Sequence, residues 1–383
     1  MIKIRDGYQK IKFGETAYIM PYGQNSADHA RALKLNPSSE LLWDGIVQGM
    51  DEDQLVALLI EEYHAEESET ALLREDTRHF VSALAANGIL LLAESEKPYT
   101  SRDPLYYRIG PLTFTYYGPE SLYEQYFADF ACDPIPQADQ QIYLRIGQPR
   151  YHENGNILLR TPELTICDAD SRYLFLFQSE WKINEMTVSK DGSVVVAYCA
   201  PDAFEQDNQE QVFHALRFAF LLLAQHHKLY AIHSASFLYK DKAWLFSGPS
   251  GTGKSTHTNL WKELYDVPLL NGDLNMLGFQ GQTPMVYGLP WCGTSGINTP
   301  KTYPLGGIVF LKKAPDNHVI TPDSADGAFM LMQRLISPIW NKTMLTQQAR
   351  FCETLADQAT ILSLDCTKEP EAAATMKRAI DQL

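Results

Sequence analysis

The run Gly248-Pro249-Ser250-Gly251-Thr252-Gly253-Lys254-Ser255 carries the strongest chemical signal in the chain. A glycine, four residues, then Gly-Lys-Ser is the spacing of a phosphate loop. Glycines let the backbone wrap closely around phosphate and aim amide hydrogens at it. A helix predicted from about Ser255 adds its positive N-terminal end, and Thr256 falls in the same turn. Lys254 can reach the β and γ phosphates, and the Ser255 hydroxyl suits Mg²⁺. Residues 248–256 therefore read as a site for ATP with Mg²⁺. The strand Trp244-Leu245-Phe246 feeds the loop, as the geometry of such a site requires.

A phosphate loop needs a second metal carboxylate from a nearby strand. Val267-Pro268-Leu269-Leu270-Asn271-Gly272-Asp273 supplies one in Asp273, although Asn271-Gly272 is also an ordinary turn signal. His233 begins the strand pair that ends in the loop. It could hold a proton beside a transferred phosphoryl group, or simply be a structural histidine. His226 and His227 end the preceding helix and read as exposed. Cys292 has no identifiable basic partner. Lys301 and Arg334 read first as surface charges and second as phosphate or acceptor contacts.

These groups need elements to position them. From about Gln209, Val212, Leu216, Phe220 and Leu223 recur at helical spacing. Strands over Ile232–Tyr239 and Ala243–Ser247 flank the turn Lys240-Asp241-Lys242, and strand and helix alternate thereafter, as in an α/β domain. Residues 105–205 are β-rich: Tyr106–Ile109, Leu112–Tyr117, Ile142–Ile146, Ile157–Arg160, Tyr173–Phe177 and Ser193–Tyr198 read as strands, with turns at Asn154-Gly155 and Asp191-Gly192.

The first 95 residues read as a separate winged-helix-like α+β unit. A hairpin over residues 9–20 offers Ile11, Phe13, Tyr18 and Met20 as inward positions, and Ala30–Leu35 gives a further strand. Asn36 can cap a helix that opens with Pro37 and carries Leu41, Leu42 and Ile46 inward. A second helix begins at Asp51-Glu52-Asp53, with Leu55, Leu58, Leu59 and Tyr63 on one stripe. A third runs from about Thr70 to Ala86, with Leu73, Phe80 and Leu84 on one face and Asn87-Gly88 as its stop, before a strand at Ile89–Leu92. Glu94–Pro104 reads as a linker. The chain is thus a multidomain α/β protein with divisions at 1–95, 105–205 and 206–383.

Bulk properties narrow the function. With 383 residues and 45% apolar content, a packed core is within reach. A net charge of −15 with no basic stripe argues against nucleic acid as a partner. Six scattered cysteines without a C-x-x-C pair argue against a zinc site or a disulfide framework, and suit a reducing compartment. The sequence predicts neither a signal peptide nor a membrane span, and so a cytoplasmic protein.

Two resemblances sharpen this reading. His233-Ser234-Ala235, the loop from Phe246 to Thr256, and Asn271-Gly272-Asp273 together resemble the C-terminal domain of HPr kinase/phosphorylase, whose fold is shared with phosphoenolpyruvate carboxykinase. The resemblance covers residues 205–320, and the β-rich region before them more loosely. It implies that His233 belongs to the active site, with Lys254 and Asp273, and that Asp273 handles metal or proton. The sequence departs from the family where Gly272 replaces the first of two aspartates. It departs again where Tyr287-Gly288-Leu289-Pro290-Trp291-Cys292-Gly293-Thr294-Ser295-Gly296 replaces the E-R-G-x-G-I-I-D signature. Both departures point away from HPr as acceptor, and the replacement segment is similar to that of HPr-kinase-like proteins found beside peptide-modifying enzymes.

The N-terminal residues Leu35-Asn36-Pro37, Leu42-Trp43-Asp44 and Ala85-Ala86-Asn87-Gly88-Ile89-Leu90 resemble PqqD. That resemblance implies a module binding the leader of a ribosomally made precursor peptide, with Ala30–Leu35 and the helix around Thr77–Leu84 forming the groove. The combined expectation is an ATP-dependent kinase of a Ser or Thr hydroxyl in that peptide. A kinase of a free small molecule such as serine, a nucleotide-gated peptide binder without transfer, and homo-oligomer formation all stay open.

Overall fold

The computed structural model describes residues 2–4, 6–27, 32–87, 89–92, 103–147, 155–169, 171–178 and 181–383. They fall into two compact units, residues 2–92 and 155 in one, residues 103–147 and 156–383 in the other. The expected linker at Glu94–Pro104 lies outside the described residues except for its last two, as do Ala30, Gly88 and Asn154.

The first unit contains β1 (Ile2–Ile4), β2 (Tyr8–Phe13), β3 (Thr16–Pro21), the short α1 (Gln24–Ala27), β4 (Leu33–Leu35), α2 (Pro37–Val47), α3 (Glu52–Tyr63), α4 (Thr70–Ala86) and β5 (Leu90–Leu92). β2, β3 and β4 form one antiparallel sheet, and β1 pairs with β5. Local signals set the helix starts. The Asn36 side chain accepts from the Ser39 N–H, and Asp51 forms a reciprocal capping box with Gln54. Leu42, Trp43, Ile46, Leu55, Leu59 and Leu84 fill the core, whereas Tyr63 is exposed.

The hairpin turns the opposite face inward from the one its pattern suggests. Ala17 and Ile19 are buried, while Ile11 and Phe13 are exposed and Tyr18 and Met20 lie between. Strand side chains alternate, so an error of one residue in choosing the inward set inverts the whole face.

The second unit opens with an eight-stranded sheet. Its strands are β6 (Leu105–Ile109), β7 (Leu112–Tyr117), β8 (Gln140–Ile146), β9 (Asn156–Arg160), β10 (Leu164–Ala169), β11 (Arg172–Phe177), β12 (Ile183–Ser189) and β13 (Val194–Cys199), with α5 (Glu120–Tyr126) after β7. The spatial order is β6-β7-β8-β13-β12-β11-β10-β9. Sequence patterning missed β10 and β12; a register shift in each, at Ile166/Cys167 and at Ile183/Glu185, interrupts the two-residue alternation.

The second sheet carries β14 (Tyr230–Tyr239), β15 (Lys242–Ser247), β16 (Leu269–Asn271), β17 (Leu274–Gln280), β18 (Thr283–Tyr287), β19 (Thr302–Lys313), β20 (His318–Ile320) and β21 (Ile361–Cys366). Its order is β15-β14-β17-β18-β19-β21-β20, and β19 also pairs in parallel with β15, so five strands close on themselves. Around it lie α6 (Gln209–His226), α7 (Lys254–Tyr265), α8 (Ser324–Met332), α9 (Lys342–Gln358) and α10 (Pro370–Asp381). α6 joins the two sheets: Phe213, Leu216 and Phe220 share a core with Tyr107, Phe114, Phe175 and Trp291. Residues 105–205 and 206–383 are therefore one folded unit.

All six cysteines are unpaired. Among the described residues, no helix is long and apolar enough to cross a membrane.

Candidate functional site

β15 runs into the glycine loop and α7 leaves it. The loop ends at Gly253, which caps α7 with a φ of 104°, a backbone conformation that side-chain-bearing residues rarely adopt. Substitution there would cost the turn that sets the N-terminus of α7. The Thr252 hydroxyl donates to the Pro249 carbonyl at 2.7 Å and braces the loop from inside. The Lys254 ammonium folds back to the carbonyls of Gly248 (3.1 Å) and Pro249 (3.4 Å), and the residue is buried. Burial holds its pKa below the usual lysine value; the Asp273 carboxylate opposes that shift and the Arg334 guanidinium adds to it.

Asp273 follows β16 on a constrained turn. The Asn271 side chain accepts from the N–H groups of Asp273 and Leu274, each at 3.1 Å, and donates to the Leu289 carbonyl at 2.8 Å. Its three hydrogen bonds compensate its burial. The Ser234 N–H donates to the Asp273 carbonyl at 2.9 Å, which ties the turn to β14.

His233 and Asp273 meet side chain to side chain, with Nε2 2.9 Å from Oδ1, and each is about one-third exposed. The hydrogen bond from His233 holds the Asp273 carboxyl below its usual value; burial opposes this, and the charges of His233, Arg217 and Lys254 reinforce it. The carboxylate is therefore ionised at neutral pH and sits in a cationic field.

Gly272 has a specific steric role. A Cβ placed there would stand 2.0 Å from the Ser295 Oγ. The missing side chain lets the Cys292–Ser295 turn seat against the strand that delivers Asp273, with Gly293 directly over the Asp273 side chain. Ser295 donates to the Cys292 carbonyl at 2.6 Å and the Gly272 N–H donates to the Ile297 carbonyl at 3.1 Å. Ser255, Thr258, Gly272, Thr294 and Ser295 line a cavity of about 320 Å³ between α7 and this turn. Hydroxyl and amide groups dominate this lining, and no charged residue lines it.

Arg334 belongs here as well. Its carbonyl accepts from the His233 N–H at 3.1 Å, and Leu335 bridges Ile232. Lys301, by contrast, is exposed, and no hydrogen bond or ion pair among the described residues links its ammonium to the loop or to Asp273. Cys292 is half-buried beside the Asn298 amide. The His226 ring bonds the Lys190 carbonyl at 2.8 Å.

Sequence reasoning missed Arg217. It lies on α6, half-buried, close enough to Asp273 for each to shift the other's titration: burial lowers the Arg217 pKa and Asp273 opposes that. One turn earlier, His214 has its pKa lowered by burial and then by the Arg217 charge. The available signal was an arginine, with His214 one turn before it, inside the mostly apolar run Val212–Phe220. Phe213 fixes that face of the helix, stacking on Trp291 at 5.3 Å and accepting its indole N–H at 3.0 Å.

The donor set suits Mg²⁺ bound through phosphates. Among the described residues no three His, Cys, Asp or Glu side chains form an all-protein metal cage. One carboxylate and one hydroxyl, Asp273 and Ser255, are what such an ion takes when waters and substrate oxygens complete its octahedron.

The first unit has its own cleft, of about 520 Å³, lined by Asn36, Leu42, Tyr63, Asp76, His79 and Phe80 among others. It runs along α4 beside the start of α2.

No curated protein matches the chain. Residues 26–90 match the family model of coenzyme PQQ synthesis protein D (PqqD), and the N-terminal unit therefore carries a PqqD-like domain.

Proposed function

We propose that this chain is a Mg²⁺·ATP-dependent kinase of the HPr kinase type that phosphorylates a Ser or Thr hydroxyl in a ribosomally made precursor peptide. One observation carries the kinase reading: Asp273, paired with His233 at 2.9 Å, lies within the electrostatic reach of the loop lysine Lys254. A phosphate cradle, a fixed carboxylate and a proton-handling imidazole are the parts that phosphoryl transfer needs. The PqqD-like domain supports the peptide reading, because modules of that family bind precursor peptides.

In this reading the loop amides, Lys254 and the α7 N-terminus hold the β and γ phosphates. Arg334, in the turn after α8, and Arg217, on α6, add positive charge. Ser255 and Asp273 would hold Mg²⁺, which when bound would supply positive charge against the phosphoryl oxygens. The peptide hydroxyl oxygen attacks the γ phosphorus, the bond to the β,γ-bridging oxygen breaks, and ADP leaves. The hydroxyl proton passes to the His233–Asp273 pair. The polar cavity beside Ser255, Thr294 and Ser295 admits a small uncharged acceptor such as a hydroxymethyl group. Holding the leader on the first unit raises the acceptor's local concentration, so this cavity need contribute little affinity.

The test is transfer from γ-labelled ATP to a precursor peptide encoded beside this chain's gene, with free serine offered in parallel. Label on the peptide, lost in Lys254→Ala and Asp273→Asn, is expected. Label on free serine alone would replace the peptide reading by a small-molecule kinase.

A further inference from the structure

A second cavity in the second unit is lined by none of the loop residues. It has a volume of about 780 Å³ and lies between the C-terminal end of α6, the start of β14 and α9. Three features of its wall point to a ligand. Tyr230, Phe279 and Phe351 supply an aromatic surface, with Tyr230 stacked on Phe351 at 4.3 Å and Phe279 meeting Phe351 edge-on at 5.8 Å. Lys228 and Arg350 supply positive charge, and no carboxylate lines the cavity. In a chain of net charge −15, a cationic pocket is selective for an anion. Gln225, also in the wall, is 5% exposed, and its amide nitrogen and oxygen both lack a hydrogen-bond partner.

An unpartnered buried amide is costly, and native structures rarely leave both ends unmade. An amide offers a donor and an acceptor side by side, so its complement is another donor–acceptor edge, as in a peptide amide or a nucleobase. We infer that this cavity is a binding site for a small organic anion with a planar, amide-like edge: the edge pairs with Gln225, the planar body packs on the Tyr230–Phe351 surface, and the anionic group meets Lys228 and Arg350. Two sources share this chemistry, an N-acylated aromatic amino acid and a purine mononucleotide.

Calorimetric titration of the full chain separates them. The background is Lys254→Ala, which disables the phosphate loop without touching this cavity. The probes are N-acetylphenylalanine, AMP, and N-acetylphenylalanine amide as the uncharged control. Saturable binding of N-acetylphenylalanine or of AMP is expected, with the responding probe naming the source. If N-acetylphenylalanine is the responder, its amide, which lacks the anion, binds at least tenfold more weakly. Arg350→Gln and Gln225→Leu, added singly, each weaken the responding probe more than tenfold, as loss of a hydrogen bond to a charged or buried group requires. Thermal melts verify that each variant is folded, and Lys228→Gln, on the exposed rim, is a second charge variant should Arg350→Gln unfold. Binding that ignores all three substitutions, or no binding of either anion at millimolar concentration, overturns the inference.

Discussion

At the residue scale, the site is a set of charges whose titrations depend on one another. Lys254 has its pKa lowered chiefly by burial, while Asp273 raises it and Arg334 lowers it. ATP affinity should therefore fall on the alkaline side at a pH below the ordinary lysine range. Removing the Asp273 charge removes a raising influence, so Asp273→Asn should move this limb to lower pH. Arg334→Gln removes a lowering one and should move it to higher pH. ATP affinity measured against pH in the three proteins checks both signs; identical profiles would show that the charges do not interact.

Gly272 gives a second prediction at this scale. Gly272→Ala should displace the Ser295 turn and cost about 1–3 kcal/mol, the usual range for overpacking. Adding Ser295→Gly should recover much of the loss, because it removes the side chain that the new methyl meets. Urea unfolding of the single and double variants measures both.

At the element scale, local chemistry was readable where a single residue type decides the geometry. Asn36 caps α2 and Asp51 caps α3 as their types suggest, and α4 spans Thr70–Ala86. Asn36→Ala should cost about 1 kcal/mol. Since Asn36 also lines the cleft along α4, the same variant should weaken peptide binding by the full chain, as fluorescence anisotropy of a labelled peptide would report. The glycine turn that opens α7 was legible for the same reason, because glycine spacing dictates a local shape.

What depends on long-range packing was not legible. The hairpin face that turns inward is chosen by the helices it meets, and Ala17 and Ile19 won that contact over Ile11 and Phe13. β10 and β12 each carry a register shift, at Ile166/Cys167 and at Ile183/Glu185, that interrupts the two-residue alternation a strand is read from. Arg217 enters the site from a helix whose place is set by Phe213 stacking on a tryptophan 78 residues later in the chain. Pattern alone could not separate His233 as a structural histidine from His233 as Asp273's partner; that required β14 and the end of β16 to be adjacent.

At the scale of the whole molecule, two compact units divide the work in the proposed account: a PqqD-like unit that holds the peptide and a phosphate-loop unit that acts on it. If the first unit tethers the substrate, deleting the leader from the peptide should raise KM strongly and leave kcat nearly unchanged, because the reacting groups stay the same. A small-molecule kinase would show no leader dependence at all. The middle β-rich region shares its core with the phosphate-loop region, so the sequence division near residue 205 is not a boundary between independently packed parts.

The most direct test is tandem mass spectrometry of the precursor peptide after incubation with the full chain and Mg²⁺·ATP. The account predicts one added phosphoryl group on a Ser or Thr hydroxyl, absent with Asp273→Asn. An unmodified peptide, with ATP and peptide both shown to be bound, would contradict it and leave a nucleotide-gated peptide binder in its place.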